Sequence, residues 1–396
     1  MHAFIWTQAG DLSSKIPAEK RPQPGNAGAS VLTNVRADLA TYPGAGYHGF
    51  MPMHCPLPDN DDICVTLAHG GGGRLAWELL ETVFLPALGD PDRHERHDGV
   101  VLDPEGAQVA FSTDAHVVSP LFFPGGSIGH LAVCGTVNDL AMCGAEPRWL
   151  STAFVLEEGL PMATLRRVLA DMRTAADAAG VSIVTGDTKV VERGKADGLY
   201  VVTAGVGLVR AAAPVRPRAV QPGDAILLSG DLGRHGAAVL SIREGLEFEP
   251  APLSDCQALH RPVLALLAAG VEVHCLRDCT RGGLTAALTE IARDGGVRLR
   301  IRESAVPVSA GVAAACELLG LDPLQLACEG RFIAFVPEAQ VARALAVLRA
   351  DLAALEAVPI GTVLATETAG RVELETTLGV LRALDLPAGE QLPRIC

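Results

Sequence analysis

Three kinds of residue in this chain have types and spacing that could do chemistry: a thiol at the very end, a series of aspartates at the ends of apolar runs, and glycine-rich turns. Cys396 closes the run Leu392-Pro393-Arg394-Ile395-Cys396. Proline removes a backbone donor and glycine costs ordering entropy, so Pro387, Gly389 and Pro393 keep this run out of a helix or central strand. The sequence therefore predicts a flexible tail over 385–396 that carries a reactive sulfur on a mobile tether. Thiolate is the reactive form; a cation such as Arg394 lowers its pKa and the terminal carboxylate raises it. Taken alone, a terminal cysteine is equally well a bystander on a frayed end.

The aspartates recur in one context. Asp98 precedes Gly99-Val100-Val101-Leu102, Asp114 ends the strand-like run 109–113, and Asp139 follows Asn138 in a helix of small residues over 128–142. Asp187 follows the strand Ile183-Val184 within Thr185-Gly186-Asp187-Thr188-Lys189, and Asp278 opens Asp278-Cys279-Thr280-Arg281-Gly282-Gly283. Any one of them can be a turn former or a helix cap. Several after apolar strands, none paired with an adjacent lysine, suggest a shared task, and hard oxygen ligands are what Mg2+ bridging nucleotide phosphates requires. Lys189 would add a compact positive charge for a phosphate or a developing oxyanion. His69-Gly70-Gly71-Gly72-Gly73-Arg74 exposes backbone N–H groups ahead of a helix expected over 75–84, which suits phosphate, although no Walker A pattern follows. Glu329, before Gly330 at a strand entrance, is either a general base or a surface turn residue.

Composition bounds these readings. With 396 residues, 49% hydrophobic and 20% charged, the chain can bury a large core and form two domains. The net charge of −14 and scattered Lys and Arg leave no footprint for nucleic acid or an anionic membrane. No apolar run approaches the roughly 20 residues of a transmembrane helix, and the N-terminus lacks a secretory signal, so a cytoplasmic protein is expected. The ten cysteines read mostly as small core residues, such as Cys134, Cys143 and Cys316, in a reducing compartment. His274-Cys275-x3-Cys279 and His94-x2-His97 come nearest to zinc spacing, and neither has a second matching pair.

The elements that must position these groups follow from periodicity. Residues 1–60, rich in Pro and Gly, read as a disordered or loosely ordered extension in which Met51 or Met53 could be the true start. A strand is expected over 63–67. The clearest helix spans 161–179, with Met162, Leu165, Leu169, Met172, Ala176 and Ala179 on one face, Pro161 at its start and Gly180 at its end. A strand over 199–209 and the Pro-rich 210–223 close a first domain of 61–212. A second, 222–384, starts with strand 225–229 and contains helices over 256–268 and 310–319, a strand over 297–301, another from Phe332, and a helix from Pro337. Strand and helix alternate, which argues an α/β fold with helices layered on sheets.

In this order, H-G-G-G-G-R, F-S-T-D, S-P-L-F-F-P-G-G, V-C-G-T-V-N-D-L-A-M-C-G-A, I-V-T-G-D-T-K-V-V, S-G-D-L-G-R-H-G, D-C-T-R-G-G-L and the terminal P-R-I-C resemble the HypE family of hydrogenase maturation proteins, within the aminoimidazole ribonucleotide synthase-like superfamily. The resemblance covers about 65–396, and the terminal motif separates this family from the kinases and synthases of the superfamily. It implies a two-domain α/β fold whose N-terminal domains pair as a homodimer around a shared β-barrel, with ATP at the interface. It also implies that a HypF-like carbamoyltransferase loads Cys396. ATP then dehydrates the S-carbamoyl group to S-cyanide, which passes to iron on a HypC–HypD complex. Carried over by resemblance, Asp98, Asp114, Asp139, Asp187 and Asp278 hold Mg2+, while His69, Gly70 to Gly73, Thr113, Gly186 and Thr188 line the nucleotide. Lys189 polarises the transferring group and Glu329 accepts a proton. The chain departs from the family pattern at Cys279, where proline is usual, at Cys328, where asparagine is usual, and at Gly99. The rival readings are a selenophosphate synthase or thiamine monophosphate kinase of the same superfamily, with Cys64 near the glycine loop, and a non-catalytic scaffold whose Cys396 docks a partner.

Overall fold

A computed structural model describes residues 4–5, 73–79, 81–82, 98, 100–102, 106, 108–249, 251–365, 370–386 and 393–396. The expected strand over 63–67, His69, Gly70, Gly71, Gly72, the His94 and His97 spacing, and all of 1–60 except Phe4 and Ile5 lie outside these residues. Both sheets and the C-terminus belong to one compact unit.

The first half contains β1 (Phe4–Ile5), α1 (Arg74–Leu79), β2 (Val100–Leu102), β3 (Val109–His116), a hairpin of β4 (Phe122–Phe123) and β5 (Gly126–Ser127), and α2 (Ile128–Met142). It continues with β6 (Ala145–Glu157), α3 (Met162–Ala179), β7 (Ser182–Val191) and β8 (Leu199–Val209). The strands form one sheet in the order β1-β7-β6-β8-β3-β2, antiparallel except for the parallel pair β6 and β7. The extension expected to be loose thus supplies Phe4 and Ile5 to the β7 edge, opposite Gly186 and Thr185. Among the described residues of one chain this sheet is open.

α2 is small and apolar all round, and it is buried on every side, as such a pattern requires. Its Ser127 cap accepts from the His130 N–H. Gly129 lets it close on α3, since a Cβ there would stand 2.4 Å from the Val168 carbonyl oxygen. That contact rotates the buried stripe of α3 from the expected one. Val168, Met172, Ala175, Ala176 and Ala179 face inward, whereas Met162 and Leu169 are exposed. Its ends are as expected, with Pro161 ahead and Gly180 in the left-handed region at φ 69°.

The second half contains β9 (Asp224–Leu228), α4 (Arg234–Arg243), α5 (His260–Ala268), β10 (Cys275–Asp278), α6 (Gly283–Gly295), β11 (Arg298–Arg302) and α7 (Ala310–Leu319). It ends with β12 (Phe332–Pro337), α8 (Val341–Leu348), β13 (Val358–Leu364), β14 (Arg371–Glu375) and β15 (Leu381–Ala383). Their order in the sheet is β10-β12-β9-β13-β11-β14-β15, with β11 and β14 parallel. β9 is buried on both faces: Ile226 and Leu228 pack with Leu284, Leu288 and Ile291 of α6, while Ala225 and Leu227 pack with Val263 and Leu266 of α5 and Leu348 of α8. α2 ties the halves together. Its Ala141 and Met142 join this second cluster, and the Asn138 amide donates to the Gln257 carbonyl while its oxygen accepts from the Leu259 N–H at 2.7 Å.

Candidate active site

β3 alternates between two faces, so Ser112, Asp114 and His116 point toward α2 and Phe111, Thr113 and Ala115 point away. Gly135 of α2 passes over the inner group, where a Cβ would lie 3.0 Å from Asp114 Oδ2 and 3.1 Å from His116 Cε1. Asp139 is one turn further along the same helix. Its Oδ2 accepts from Ser112 Oγ at 2.5 Å, and Ser112 Oγ also reaches the Asp98 carbonyl. β10, at the edge of the other sheet, delivers Asp278 to the same point. Asp278 ends a strand and is not the helix cap that its position before Gly282 and Gly283 allowed; Gly282 occupies the N-cap of α6.

One carboxylate oxygen from each of Asp98, Asp139 and Asp278 lies within 4.8 Å of the others. Asp278 Oδ2 is buried with no hydrogen-bond partner. Burial raises all three pKa values. Arg277, 2.7 Å from Asp98 Oδ1, partly opposes the rise at Asp98 and Asp278, whereas the neighbouring carboxylates add to it at Asp139. Asp278 is pushed up to about 6. Three oxygen donors with an unsatisfied buried oxygen fit a hard divalent cation such as Mg2+. Asp114 borders the cluster, repelling Asp139, Asp278 and Glu329, and its Oδ2 is 3.4 Å from His116 Nε2.

Glu329 is no surface turn residue. It is 3% exposed, its Oε1 has no hydrogen-bond partner, and burial followed by Asp278, Asp114 and Asp255 drives its pKa well up. Its backbone N–H donates to Asp255 Oδ1 at 3.1 Å. Gly330 permits this closeness, because a Cβ there would meet the Asp255 carbonyl oxygen at 1.8 Å.

The last four residues are seated against the segment that follows β3 and against α4, contrary to the free tether read from their composition. A main-chain carboxylate oxygen of Cys396 accepts from the Val117 N–H at 3.0 Å, three residues past Asp114, and the Arg394 carbonyl accepts from the Ser119 N–H. Ile395 is buried among Val118, Phe123 and Val239, and Cys396 packs on the same cluster as Cys256 and Ala327, the chain neighbours of Asp255 and Cys328. His235 and Arg243 of α4 bind the tail's carbonyls, and Arg394 pairs with Asp197 at 2.6 Å. Backbone groups of a proline-rich segment remain strong acceptors, and composition does not register where they find donors.

The remaining residues of interest sit elsewhere. Asp187 pairs with Lys189, so the expectation of aspartates without a lysine partner fails here. Both are exposed, and Lys189 together with the Thr188 N–H lowers the Asp187 pKa. Registers across β3, β8, β6 and β7 place Thr113, Asp187 and Lys189 on the outward face of the first sheet, and Gly186 and Thr188 alternate with them on β7. Gly73 precedes α1 and accepts from the Trp77 N–H. Cys279 and Cys328 are buried, with pKa values raised by burial, and the Cys328 N–H donates to the Cys279 carbonyl. His274 bonds Asp224 and Glu272, and it joins no metal-capable group among the described residues. Asp255 and Arg243 carry no motif signal; His235 stands within S-G-D-L-G-R-H-G and Arg277 directly before Asp278, and those motifs are the signal that could find them.

Residues 96–209 match the family described as AIR synthase related protein, N-terminal domain, and residues 221–373 match its C-terminal domain. A carbamoyl dehydratase HypE of Azotobacter vinelandii is 50% identical over 332 residues, covering 84% of this chain and 97% of that protein. The chain belongs to the HypE family. Among solved structures, HypE in complex with ATP is similar at a TM-score of 0.71 and 46% identity, over 83% of this chain and 99% of that one. A HypE–HypF complex gives a TM-score of 0.74 at 40% identity, over 78% and 99%. Among the described residues, no helix is long and apolar enough to cross a membrane.

Proposed function

We propose that this protein is an ATP-dependent carbamoyl dehydratase whose substrate is its own Cys396, carried as an S-carbamoyl group and released as S-cyanide for nickel–iron hydrogenase maturation. The observation that carries this reading is the seating of the Cys396 backbone against Val117, three residues past Asp114, with hydrogen bonds that lead from Ile395 through His235 and residues 254–257 to buried Glu329. Phosphoryl transfer to a group on a terminal thiol needs that thiol held in place relative to the cation-binding carboxylates, and a seated tail supplies the holding.

The carbamoyl oxygen takes the γ-phosphoryl group of ATP and leaves as phosphate, and the nitrogen gives up both protons, so that S–C(O)NH2 and ATP become S–C≡N, ADP and phosphate. Glu329, whose buried carboxylate holds a proton more readily than usual, is the group placed to accept one. Asp98, Asp139 and Asp278, with Asp114 beside them, would hold Mg2+, which when bound neutralises charge on the phosphates.

Lys189 belongs to this site through a second copy of the chain. The outward face of the first sheet carries Phe111, Trp149 and Val202, each more than a third exposed, around Asp187, Lys189 and Thr113. An apolar sheet face of this kind is an interface. Pairing two such faces would close the β-barrel of a homodimer and carry Lys189 toward the partner's cluster. A HypF-like carbamoyltransferase would load Cys396, a HypC–HypD complex would take the cyanide, and the setting would be the cytoplasm. The domains divide at 61–212 and 222–384.

The test is the intact mass of the C-terminal peptide after incubation with Mg-ATP, carbamoyl phosphate and a HypF-like partner. Gain of a carbamoyl group and ATP-dependent loss of one water, both absent in Cys396→Ala, are expected. An unmodified peptide beside an active, loaded partner overturns the reading and directs the search to a small-molecule phosphoryl acceptor.

A further inference from the structure

The tail's seat is built from side chains that do not belong to the cation cluster, and one of them links the tail to the segment that holds Glu329. His235, fully buried in the first turn of α4, lies with its Nε2 2.7 Å from the Ile395 carbonyl and its Nδ1 2.9 Å from Ser254 Oγ. A carbonyl only accepts, so Nε2 carries the hydrogen and Nδ1 is the acceptor for the Ser254 hydroxyl. Ser254 Oγ in turn accepts from the Cys256 N–H at 3.1 Å. Every donor in this chain of bonds is thereby assigned. Phe123 meets the imidazole edge-to-face at 5.1 Å and fixes the ring plane.

The far end of the same segment is anchored to the candidate base. Asp255 accepts from the Glu329 N–H, the Gln257 N–H reaches the Glu329 carbonyl, and the Asn138 amide holds both the Gln257 and the Glu329 carbonyls. The Ser254 N–H is fixed to the Pro124 carbonyl at 2.8 Å. Tail, His235, residues 254–257 and Glu329 therefore form one continuous hydrogen-bonded frame.

We propose that His235 is the positioning residue of the reaction: as the Nε2–H tautomer held by Ser254, it seats Ile395 and so sets the place of the Cys396 sulfur relative to Glu329. The proposal rests on the reading of Cys396 as substrate carrier. Arg243, which bonds the Pro393 and Arg394 carbonyls, holds the tail one step further from the sulfur; the Val117 N–H holds the Cys396 main chain, and His235 is the side-chain contact next to it.

The two amide side chains that imitate histidine separate this role from a merely structural one. Gln places an N–H near the position of Nε2 and can keep the tail bond; Asn imitates Nδ1 and keeps only the bond to Ser254. In the full-length protein, the alkylation rate of Cys396 is read by mass spectrometry of the C-terminal peptide, together with the single-turnover loss of water from the carbamoylated peptide at saturating Mg-ATP. His235→Asn is expected to speed alkylation about five- to tenfold and slow water loss by a similar factor, as the loss of one hydrogen bond implies, with His235→Gln returning both toward wild type. Wild-type alkylation in His235→Asn, or equal effects of Asn and Gln with unchanged melting temperature, overturns the assignment. Absence of water loss in the wild type itself refutes the dehydratase reading instead, and the alkylation rates still decide whether His235 holds the tail.

Discussion

Asp278→Asn is predicted to make the cation-free protein more stable while abolishing its activity. Asp278 is 4% exposed, its Oδ2 has no hydrogen-bond partner, and its pKa is about 6 against an ordinary 3.8. A carboxyl raised in the folded state binds its proton more tightly there, so the folded state is favoured at low pH. The penalty is absent below about pH 4, grows between 4 and 6, and is complete above 6. Fully developed, it amounts to roughly 3 kcal/mol, and asparagine, which keeps an acceptor for Thr280 Oγ1 and offers an N–H toward Asp98 and Asp139, removes it. For a chain of this size the corresponding rise in melting temperature is about 5 °C. The assay is thermal unfolding of both proteins in chelator from pH 7.5 down to 4.5. The gap in favour of the variant should hold from pH 7.5 to about 6 and shrink below that, and added Mg2+ should close it at pH 7.5 by raising the wild type alone. A gap that does not change with pH, or a variant less stable than wild type at pH 7.5, would refute the reasoning.

Four further outcomes test neighbouring parts of the structure. Glu329→Gln should retain nucleotide binding by calorimetry and slow water loss from the carbamoylated peptide about 10²- to 10⁴-fold, the usual worth of a positioned base. Gly330→Ala, whose methyl group would overlap the Asp255 carbonyl, should cost about 3 kcal/mol or more in denaturant unfolding, because backbone must move on one side or the other. Trp149→Glu on the open sheet face should sediment as a monomer. Mixing Lys189→Ala with Asp278→Asn subunits should recover about a quarter of wild-type activity if each site draws Lys189 from its partner, and none if it does not.

Much of this arrangement is written locally. Pro161 and Gly180 bound α3, the small residues of 128–142 mark a helix that carries Asp139, and Asp98, Asp114 and Asp278 each stand at an end of an apolar run. Those signals depend on a few neighbouring residues, which is why they survive without knowledge of the fold. The equal standing of Asp187 with the other aspartates did not survive, since a strand sends alternate residues to opposite faces and only the sheet determines which face is covered.

The sequence by itself determined the chemical groups, their order, the strand and helix types that carry them, and, through its terminal motif, the family. Tertiary structure alone decided which groups meet. Asp139 and Asp278 are 139 positions apart and come together because α2 packs between the first sheet and the edge strand β10 of the second. Glu329 is buried, and is not a surface turn residue, because Asp255 and Asn138 hold its backbone, and the tail is seated because His235 and Arg243 supply donors to its carbonyls. Such contacts join distant residues through backbone atoms common to every sequence, so no local pattern of side chains encodes them.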